Sequence, residues 1–214
     1  MTVVRDYLEV AQVIRTLLAS DEVAKYWEYP SALEEWTVAG LAGHLARPVL
    51  QLPSVLAESV SQESVPVTAV EYFSQMPASS NALDSPAATA IRQRGVQTAG
   101  TGVDDLLARF DDVFQGLDAQ LPELPLGHEI STPAQAGGVR MLLSQYLITR
   151  LVEMVVHADD LAVSVGVVAP DFPVSASDTV LSTLACIASR RNSPIDVMRV
   201  LARAERPIQR VTAF

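Results

Sequence analysis

Four ionisable side chains share one face of a long apolar segment in the second half of the chain. The segment, residues 139–165, contains no proline or glycine and is rich in Leu, Val and Met. At roughly 100° per residue, Arg150, Glu153, His157 and Asp160 fall within about 80° of one another around a helix. A helix that is apolar on nearly all sides is usually buried, so these four groups need partners or a ligand.

Three interpretations of this polar stripe are open from the helix alone. The four groups can pair with one another along a solvated face, or they can form a buried ion-pair network in a purely structural protein. Alternatively, the i,i+4 spacing of Glu153 and His157 brings a carboxylate oxygen and an imidazole nitrogen onto one metal ion. Because an E-x-x-x-H pair arises often by chance, a metal site needs a third ligand.

The chain has only three histidines, which limits the choice of that third ligand. His44 lies in the apolar segment 38–46, where Gly40 and Gly43 permit the close approach of another helix. His128 lies in a loop rich in proline and glycine, and we expect it at the surface. A histidine on an apolar helix is more often a core residue than a ligand, so His44 needs independent support.

Periodicity and capping residues predict an all-α chain. Apolar residues at spacings of three and four indicate helices, and the Thr37 hydroxyl can cap one that begins at Val38. Pro48 predicts that this helix kinks near His44 or ends before the proline. Gly166 predicts the end of the long segment. The predicted helices cover residues 3–19, the segment from 38, 85–117 with a break near 99–102, 139–165, 177–190 and 194–203.

The connections between these helices complete the predicted architecture. Residues 59–83 form a long connection that can contain a short helix, and residues 120–138 form a second loop. No strand pattern of period two is sustained. Four main helices joined by loops predict a bundle whose facing helices take ligands into its interior. We expect the bundle to span residues 1–170 and a short helical extension, residues 171–214, to pack on it.

Charge excludes some classes of partner. The 214 residues carry a formal net charge of −10, which disfavours binding to nucleic acids and to anionic membranes. Residues 188–214 differ, because they hold six arginines against two carboxylates. We expect these arginines, including Arg203 and Arg206, to fold back over the site and attract a small anion.

The single cysteine, Cys186, excludes an internal disulfide and indicates a reducing compartment. Its apolar neighbours predict a core residue rather than a nucleophile. Acidic residues stand near the N-terminus where a signal peptide has basic ones, and no apolar run approaches the roughly 18–20 residues that span a bilayer. We therefore expect a cytoplasmic protein.

Two segments resemble the signatures of a known family. Residues 36–45, WTVAGLAGHL, are similar to the pattern W-T-V-x-x-L-x-x-H-L. Residues 150–166, RLVEMVVHADDLAVSVG, resemble the pattern R-x-x-E-x-x-x-H-x-x-D-L-A-x-x-x-G. Both patterns belong to the mycothiol-dependent maleylpyruvate isomerase N-terminal family, within the broader DinB-like superfamily. The two segments are more than 100 residues apart and occur in the expected order.

The resemblance implies a DinB-like four-helix bundle that binds a divalent metal, commonly zinc, through His44, Glu153 and His157. It also implies supporting roles for two further residues. Asp160 would orient a ligand, and Arg150 would neutralise excess carboxylate charge or bind a substrate anion. The open metal position would receive the thiol of mycothiol, a low-molecular-weight thiol, and present it as a thiolate.

The function implied by the resemblance is a metal-dependent, thiol-handling isomerase or S-transferase. Its partner would be a small electrophilic or anionic molecule, and we expect a monomer or homodimer. The alternative is a non-catalytic, metal- or ligand-binding bundle of the stress response that keeps the fold without turnover.

Overall fold

The described part of the chain folds into helices and a small pair of antiparallel strands, which confirms the predicted all-α class. The computed structural model describes residues 2–60, 65–75, 84–133, 138–203, 205 and 211–213. The helices are α1 (Thr2–Leu18), α2 (Asp21–Lys25), α3 (Val38–Leu50), α4 (Leu52–Ala57), α5 (Ala69–Gln75), α6 (Pro86–Ala99), α7 (Val103–Gln120), α8 (Leu143–Val165), α9 (Val174–Arg191) and α10 (Pro194–Ala202). The antiparallel strands are β1 (Glu129–Ser131) and β2 (Arg140–Leu142). Within the described part of the chain, no helix is both long and apolar enough to span a membrane.

The hydrophobic core lies between α1, α3, α7 and α8. Each helix turns an apolar face inward, and Ile14, Leu41, Phe110 and Leu147, one from each helix, are fully buried. Helix α3 packs against α6, α7 and α8, and α8 also packs against α1. Because α3 and α8 are neighbours in the bundle, side chains on their facing sides can meet.

Helix α3 begins where its capping residue predicts. The Thr37 hydroxyl accepts a hydrogen bond from the amide of Gly40 at 3.0 Å. The helix continues through Pro48 to Leu50. Of the two predicted alternatives, the end before the proline is therefore wrong, and the kink near His44 stays a prediction. Pro48 is buried, and its carbonyl accepts a 3.0 Å hydrogen bond from the Tyr7 hydroxyl. Tertiary contacts therefore stabilise a turn that proline alone disfavours.

Glycine allows α3 and α6 to pack at very short distance, as the sequence predicts for the segment around His44. A Cβ on Gly43 would lie 2.1 Å from the carbonyl oxygen of Gly95 and 2.5 Å from the amide nitrogen of Ala99. Real Cβ atoms do not approach backbone atoms so closely, so only glycine fits at position 43. This contact fixes the position of the helix turn that carries His44.

Helices α6 and α7 are separated at residues 100–102, which confirms the predicted break. Gly100 has a φ of 70°, a conformation that favours glycine. Across the break, Arg109 Nη2 donates to the Thr98 carbonyl at 2.8 Å and to Asp105 at 3.0 Å. The start of α7 is therefore tied to the end of α6.

Strand β2 replaces the first turn of the predicted long helix. The sequence predicts no strand and a helix from Val139, but β2 precedes α8, which begins at Leu143. Ile130 of β1 pairs with Met141 of β2, and both side chains are buried in the core. Helix α8 has 23 residues, so its length is about 34 Å rather than about 40 Å.

The C-terminal helices pack on the bundle through α9. Helix α8 ends at Gly166, which has a φ of 74° and confirms the predicted stop. Helix α9 then contacts α1, α5 and α8. At its start, the Ser175 hydroxyl donates a 2.6 Å hydrogen bond to the buried carboxylate of Asp6 on α1. The Asp6 carboxylate therefore has a hydrogen-bond partner in the core, and α9 is anchored to the first helix of the chain.

The outer face of α9 lies at the surface, and so do Arg203 and Glu205 after α10. Cys186 is exposed, so its prediction as a core residue is wrong. Arg203 is exposed and pairs with Glu205 at 3.8 Å. Arg206 and Arg210 lie outside the described residues, so the expectation that the tail arginines cover the site stays a prediction.

Candidate metal centre

Three potential metal ligands from two helices meet inside the bundle. His44 lies on α3, whereas Glu153 and His157 lie one turn apart on α8. The Nε2 atoms of both histidines are 3.5 Å from Glu153 Oε2. One ligand atom from each residue lies within 4.8 Å of the other two. The packing of α3 on α8 therefore adds the third donor to the pair on α8.

The geometry of this His–Glu–His cluster fits a divalent metal ion. In a tetrahedral zinc site, bonds of about 2.0–2.1 Å place neighbouring ligand atoms about 3.3–3.4 Å apart. The two separations of 3.5 Å are close to that value and longer than an ordinary N–H···O hydrogen bond. Side-chain exposures of 16% to 24% show that all three side chains are mostly buried but keep partial contact with solvent. Two imidazoles and one carboxylate, three protein donors in all, form the donor set of a catalytic rather than a structural zinc site.

The two histidines are oriented in different ways. His157 Nδ1 lies 2.9 Å from Asp160 Oδ2, a contact that directs the opposite nitrogen, Nε2, toward the cluster. The His44 ring instead packs against Trp36, with ring centroids 5.2 Å apart, and against the His157 ring at 4.7 Å. Its Nδ1 is buried without a hydrogen-bond partner among the described residues. Ring packing therefore holds His44, whereas a carboxylate holds His157.

Electrostatics divide the cluster into one carboxylate, one protonated imidazole and one neutral imidazole. Burial raises the pKa of Glu153, but contacts with His157 and His44 outweigh it and hold that pKa well below its ordinary value. Burial lowers the pKa of His157, but Asp160 and Glu153 outweigh it and raise the pKa to about 9. Burial lowers the pKa of His44, so this ring is neutral at pH 7 and ready to coordinate.

We expect metal binding to release about one proton per site near pH 7.5, because a coordinating imidazole must be deprotonated. In the metal-free protein His157 holds its proton up to about pH 9, whereas His44 is already neutral. Isothermal titration of zinc in buffers of different ionisation enthalpy measures this release. The release should decline as the pH is raised from 7.5 towards 9, and no release at pH 7.5 would contradict the protonation states above.

Arg150 lies beside the cluster and carries positive charge into the bundle. Its guanidinium carbon is 4.9 Å from the centroid of the Tyr146 ring, and its Nε donates to the Thr149 hydroxyl at 3.1 Å. The charge of Arg150 contributes to the low pKa of Glu153. It also opposes the rise that burial causes in the pKa of Tyr72. Arg150 is therefore placed to balance the charge of the carboxylate, and its contact with a substrate anion stays a prediction.

The structure brings together His44, Glu153 and His157, as the sequence predicts. His128 lies outside this cluster. The interpretation that the four ionisable residues of α8 pair with one another is only partly correct. His157 contacts Asp160, but Arg150 makes no salt bridge to a carboxylate of the described residues. The polar stripe is thus organised around Glu153.

Helix α5 brings a further aromatic residue, Tyr72, to the site from the long connection 59–83. The sequence contains a signal for this helix that periodicity does not detect. Thr68 and Glu71 form a capping box, in which the Thr68 amide donates to the carboxylate at 2.8 Å and the Glu71 amide donates to the hydroxyl at 3.2 Å. Trp36 is the first residue of the family-like segment 36–45, but only the structure shows that its ring packs on His44.

These observations define an all-α bundle protein with a candidate metal centre between two of its helices. The sequence model of the protein family described as the mycothiol maleylpyruvate isomerase N-terminal domain matches residues 8–162. The chain therefore belongs to this family. The matched range includes all three residues of the His–Glu–His cluster. No curated protein matches the chain.

Two solved structures resemble the chain. One is the crystal structure of the mycothiol-dependent maleylpyruvate isomerase, which is 23% identical with a TM-score of 0.56. The other is a variant of that enzyme with one histidine replaced by alanine, at 22% identity and a TM-score of 0.55. Each match covers 87% of this chain and 69% of the other. At these identities the likeness concerns the fold, and the DinB-like class predicted from the sequence is confirmed.

Proposed function

We propose that the protein is a metal-dependent, thiol-handling enzyme that uses mycothiol as cosubstrate and acts as an isomerase or an S-transferase on a small electrophile. The observation that carries the proposal is the convergence of two imidazole nitrogens on one carboxylate oxygen, each at 3.5 Å, in a partly exposed cluster. Membership of the mycothiol maleylpyruvate isomerase family supports the choice of thiol.

In this proposal His44, Glu153 and His157 hold a divalent ion, most simply zinc. When bound, the ion supplies Lewis-acid chemistry that lowers the pKa of a thiol, so that a thiolate is available at neutral pH. Asp160 holds the His157 ring through its Nδ1 and keeps Nε2 directed at the cluster. Arg150 offsets the charge of the Glu153 carboxylate and leaves donors for an anionic group of the substrate.

The thiolate chemistry accounts for both proposed reactions. Addition of a thiolate to an electron-poor alkene converts the double bond into a single bond, which can rotate. Expulsion of the same thiolate restores the double bond in the other geometry, so isomerisation consumes no thiol. When the electrophile instead carries a leaving group, the new carbon–sulfur bond persists and the leaving group departs with the electron pair.

Metal removal is expected to lower the rate of the thiol-dependent reaction by at least ~100-fold, because loss of Lewis-acid activation costs several kcal/mol of barrier. The assay monitors mycothiol consumption and cis/trans conversion with electrophilic alkenes, using chelated protein and protein reloaded with zinc. Cys186→Ser is the matched control. This substitution removes the protein's only thiol, which is exposed on α9 outside the cluster, and should leave the rate unchanged.

The outcomes separate the proposal from the alternatives. Equal rates for chelated and reloaded protein would exclude metal-dependent catalysis. Tight zinc binding without turnover of any acceptor would instead favour the non-catalytic, ligand-binding bundle. A Cys186→Ser variant without activity would show that the reacting thiol belongs to the protein and not to mycothiol.

A further inference from the structure

A cavity lies outside the His–Glu–His cluster, in a cleft bordered by α3, α6 and α7. Its volume is about 460 Å³, and none of the three cluster residues lines it. We refer to it as the arginine cleft. The polar side chains that line it are Arg47, Gln51, Gln97, Thr98, Arg109 and Asp112.

Arg47 is half-buried in this cleft and has only neutral hydrogen-bond partners. Its Nη1 donates to the Thr98 hydroxyl at 3.3 Å and its Nη2 to Gln51 Oε1 at 3.0 Å. Burial lowers the pKa of the guanidinium, and the positive charges of Arg94 and Arg150 lower it further. Within the described ranges no carboxylate forms an ion pair with Arg47. The positive charge of the Arg47 guanidinium is therefore partly removed from water without an ion-pair partner. Such an arrangement is unfavourable in free energy unless an anion binds.

Arg109 faces the same cleft with unused donors. Its Nη2 is shared between the Thr98 carbonyl at 2.8 Å and Asp105 at 3.0 Å. A guanidinium has five N–H donors, so Arg47 and Arg109 each retain donors beyond these contacts. Thr98 connects the two, because its hydroxyl accepts from Arg47 and its carbonyl accepts from Arg109. Two guanidinium groups are thus held around one residue.

We propose that the arginine cleft binds a small oxyanion, the carboxylate or phosphate group of a small molecule, between Arg47 and Arg109. Guanidinium groups pair with such oxygens through charge-assisted hydrogen bonds and frequently bind them in a bidentate manner. The bound anion supplies the negative charge that Arg47 lacks. Asp112 is exposed and also lines the cleft, so its charge weakens the binding of an anion.

The cleft communicates with the surroundings of the metal centre through polar contacts. Gln51, which accepts from Arg47, donates from Nε2 to the Tyr146 hydroxyl at 3.2 Å. The Arg150 guanidinium lies 4.9 Å from the centroid of the same tyrosine ring. The proposed anion site is separate from the cluster, so it can be occupied whether or not the protein turns over a thiol substrate.

Isothermal titration of the full chain with inorganic phosphate and, separately, with succinate tests this site. Ionic strength is held constant with potassium chloride, so that charge screening contributes equally. We expect saturable binding of at least one probe at one site per chain, and the stronger probe identifies the phosphate or carboxylate class. Arg47→Gln and Arg109→Gln should each weaken binding by about tenfold or more. Asp112→Asn should strengthen it.

Arg5→Gln is the matched control, because it removes an exposed arginine of α1 that pairs with Glu9 away from the cleft. Its affinity for both probes should equal that of the unmodified protein. Arg47→Lys, which keeps the charge but loses the planar fork, should retain part of the binding. Arg109→Gln and Asp112→Asn provide the test if Arg47→Gln does not fold. No saturable binding of either probe, or equal affinities for Arg109→Gln and the unmodified protein, would overturn the proposal.

Discussion

Replacing His157 with alanine is expected to reduce zinc affinity by at least ~100-fold, because loss of a supporting partner alone typically costs 10–100-fold and this change removes a ligand. The substitution also removes the 2.9 Å contact between His157 and Asp160. Glu153 and His44 are then the two donors that remain in the cluster. Competition titration against a chromophoric zinc chelator measures the affinity. The thiol-dependent rate should fall with it.

His128→Ala is the control for this substitution. This substitution also removes an imidazole, but from a half-buried loop position outside the cluster. Zinc affinity should therefore stay within about twofold of that of the unmodified protein. Circular dichroism confirms that both variants keep their helices. If the two variants bind zinc equally well, the ligand assignment is wrong. If His128→Ala alone loses the metal, the site lies in the loop before β1.

Gly43→Ala is expected to destabilise the protein by about 3 kcal/mol, near the upper end of the cost of forcing extra volume into a packed interior. The added Cβ would lie 2.1 Å from the Gly95 carbonyl oxygen and 2.5 Å from the Ala99 amide nitrogen, both backbone atoms. No side-chain rotation relieves this contact, so α3 and α6 must move apart. Chemical denaturation measures the free energy of unfolding.

The same change should also weaken zinc binding, since His44 is the next residue on α3. Gly116→Ala on α7 provides the matched control. A Cβ there meets nothing within 4 Å, and alanine favours a helix over glycine by about 0.5–1 kcal/mol, so this variant should be slightly more stable. A Gly43→Ala protein as stable as the unmodified one would refute the close contact between α3 and α6.

Local sequence signals predict several elements because their causes are local. The Thr37 hydroxyl satisfies an amide at the start of α3, and glycine at 100 and 166 adopts a positive φ where helices end. The strand pair β1 and β2 has no such signal, because three-residue strands are too short to show a period of two. Its strands form because pairing buries Ile130 and Met141 against the core.

Cys186 shows the opposite error, in which a local pattern predicts burial that the fold does not provide. Its apolar neighbours suggest a core helix. However, α9 lies on the outside of the bundle, and only one face of it contacts α1, α5 and α8. Leu181 on the same helix is 65% exposed. Hydrophobicity alone cannot distinguish the covered face of a peripheral helix from its outer face.

The sequence by itself determined half of the candidate metal centre. Glu153 and His157 are one helical turn apart, so any helix at that position places their side chains on one face, whatever the rest of the chain does. The tertiary structure alone decided the other half. His44 reaches Glu153 because α3 packs on α8, while Gly43 on the same helix allows the close contact of α3 with α6. Such long-range packing depends on the fit of surfaces distant in sequence, and no spacing along one segment records it.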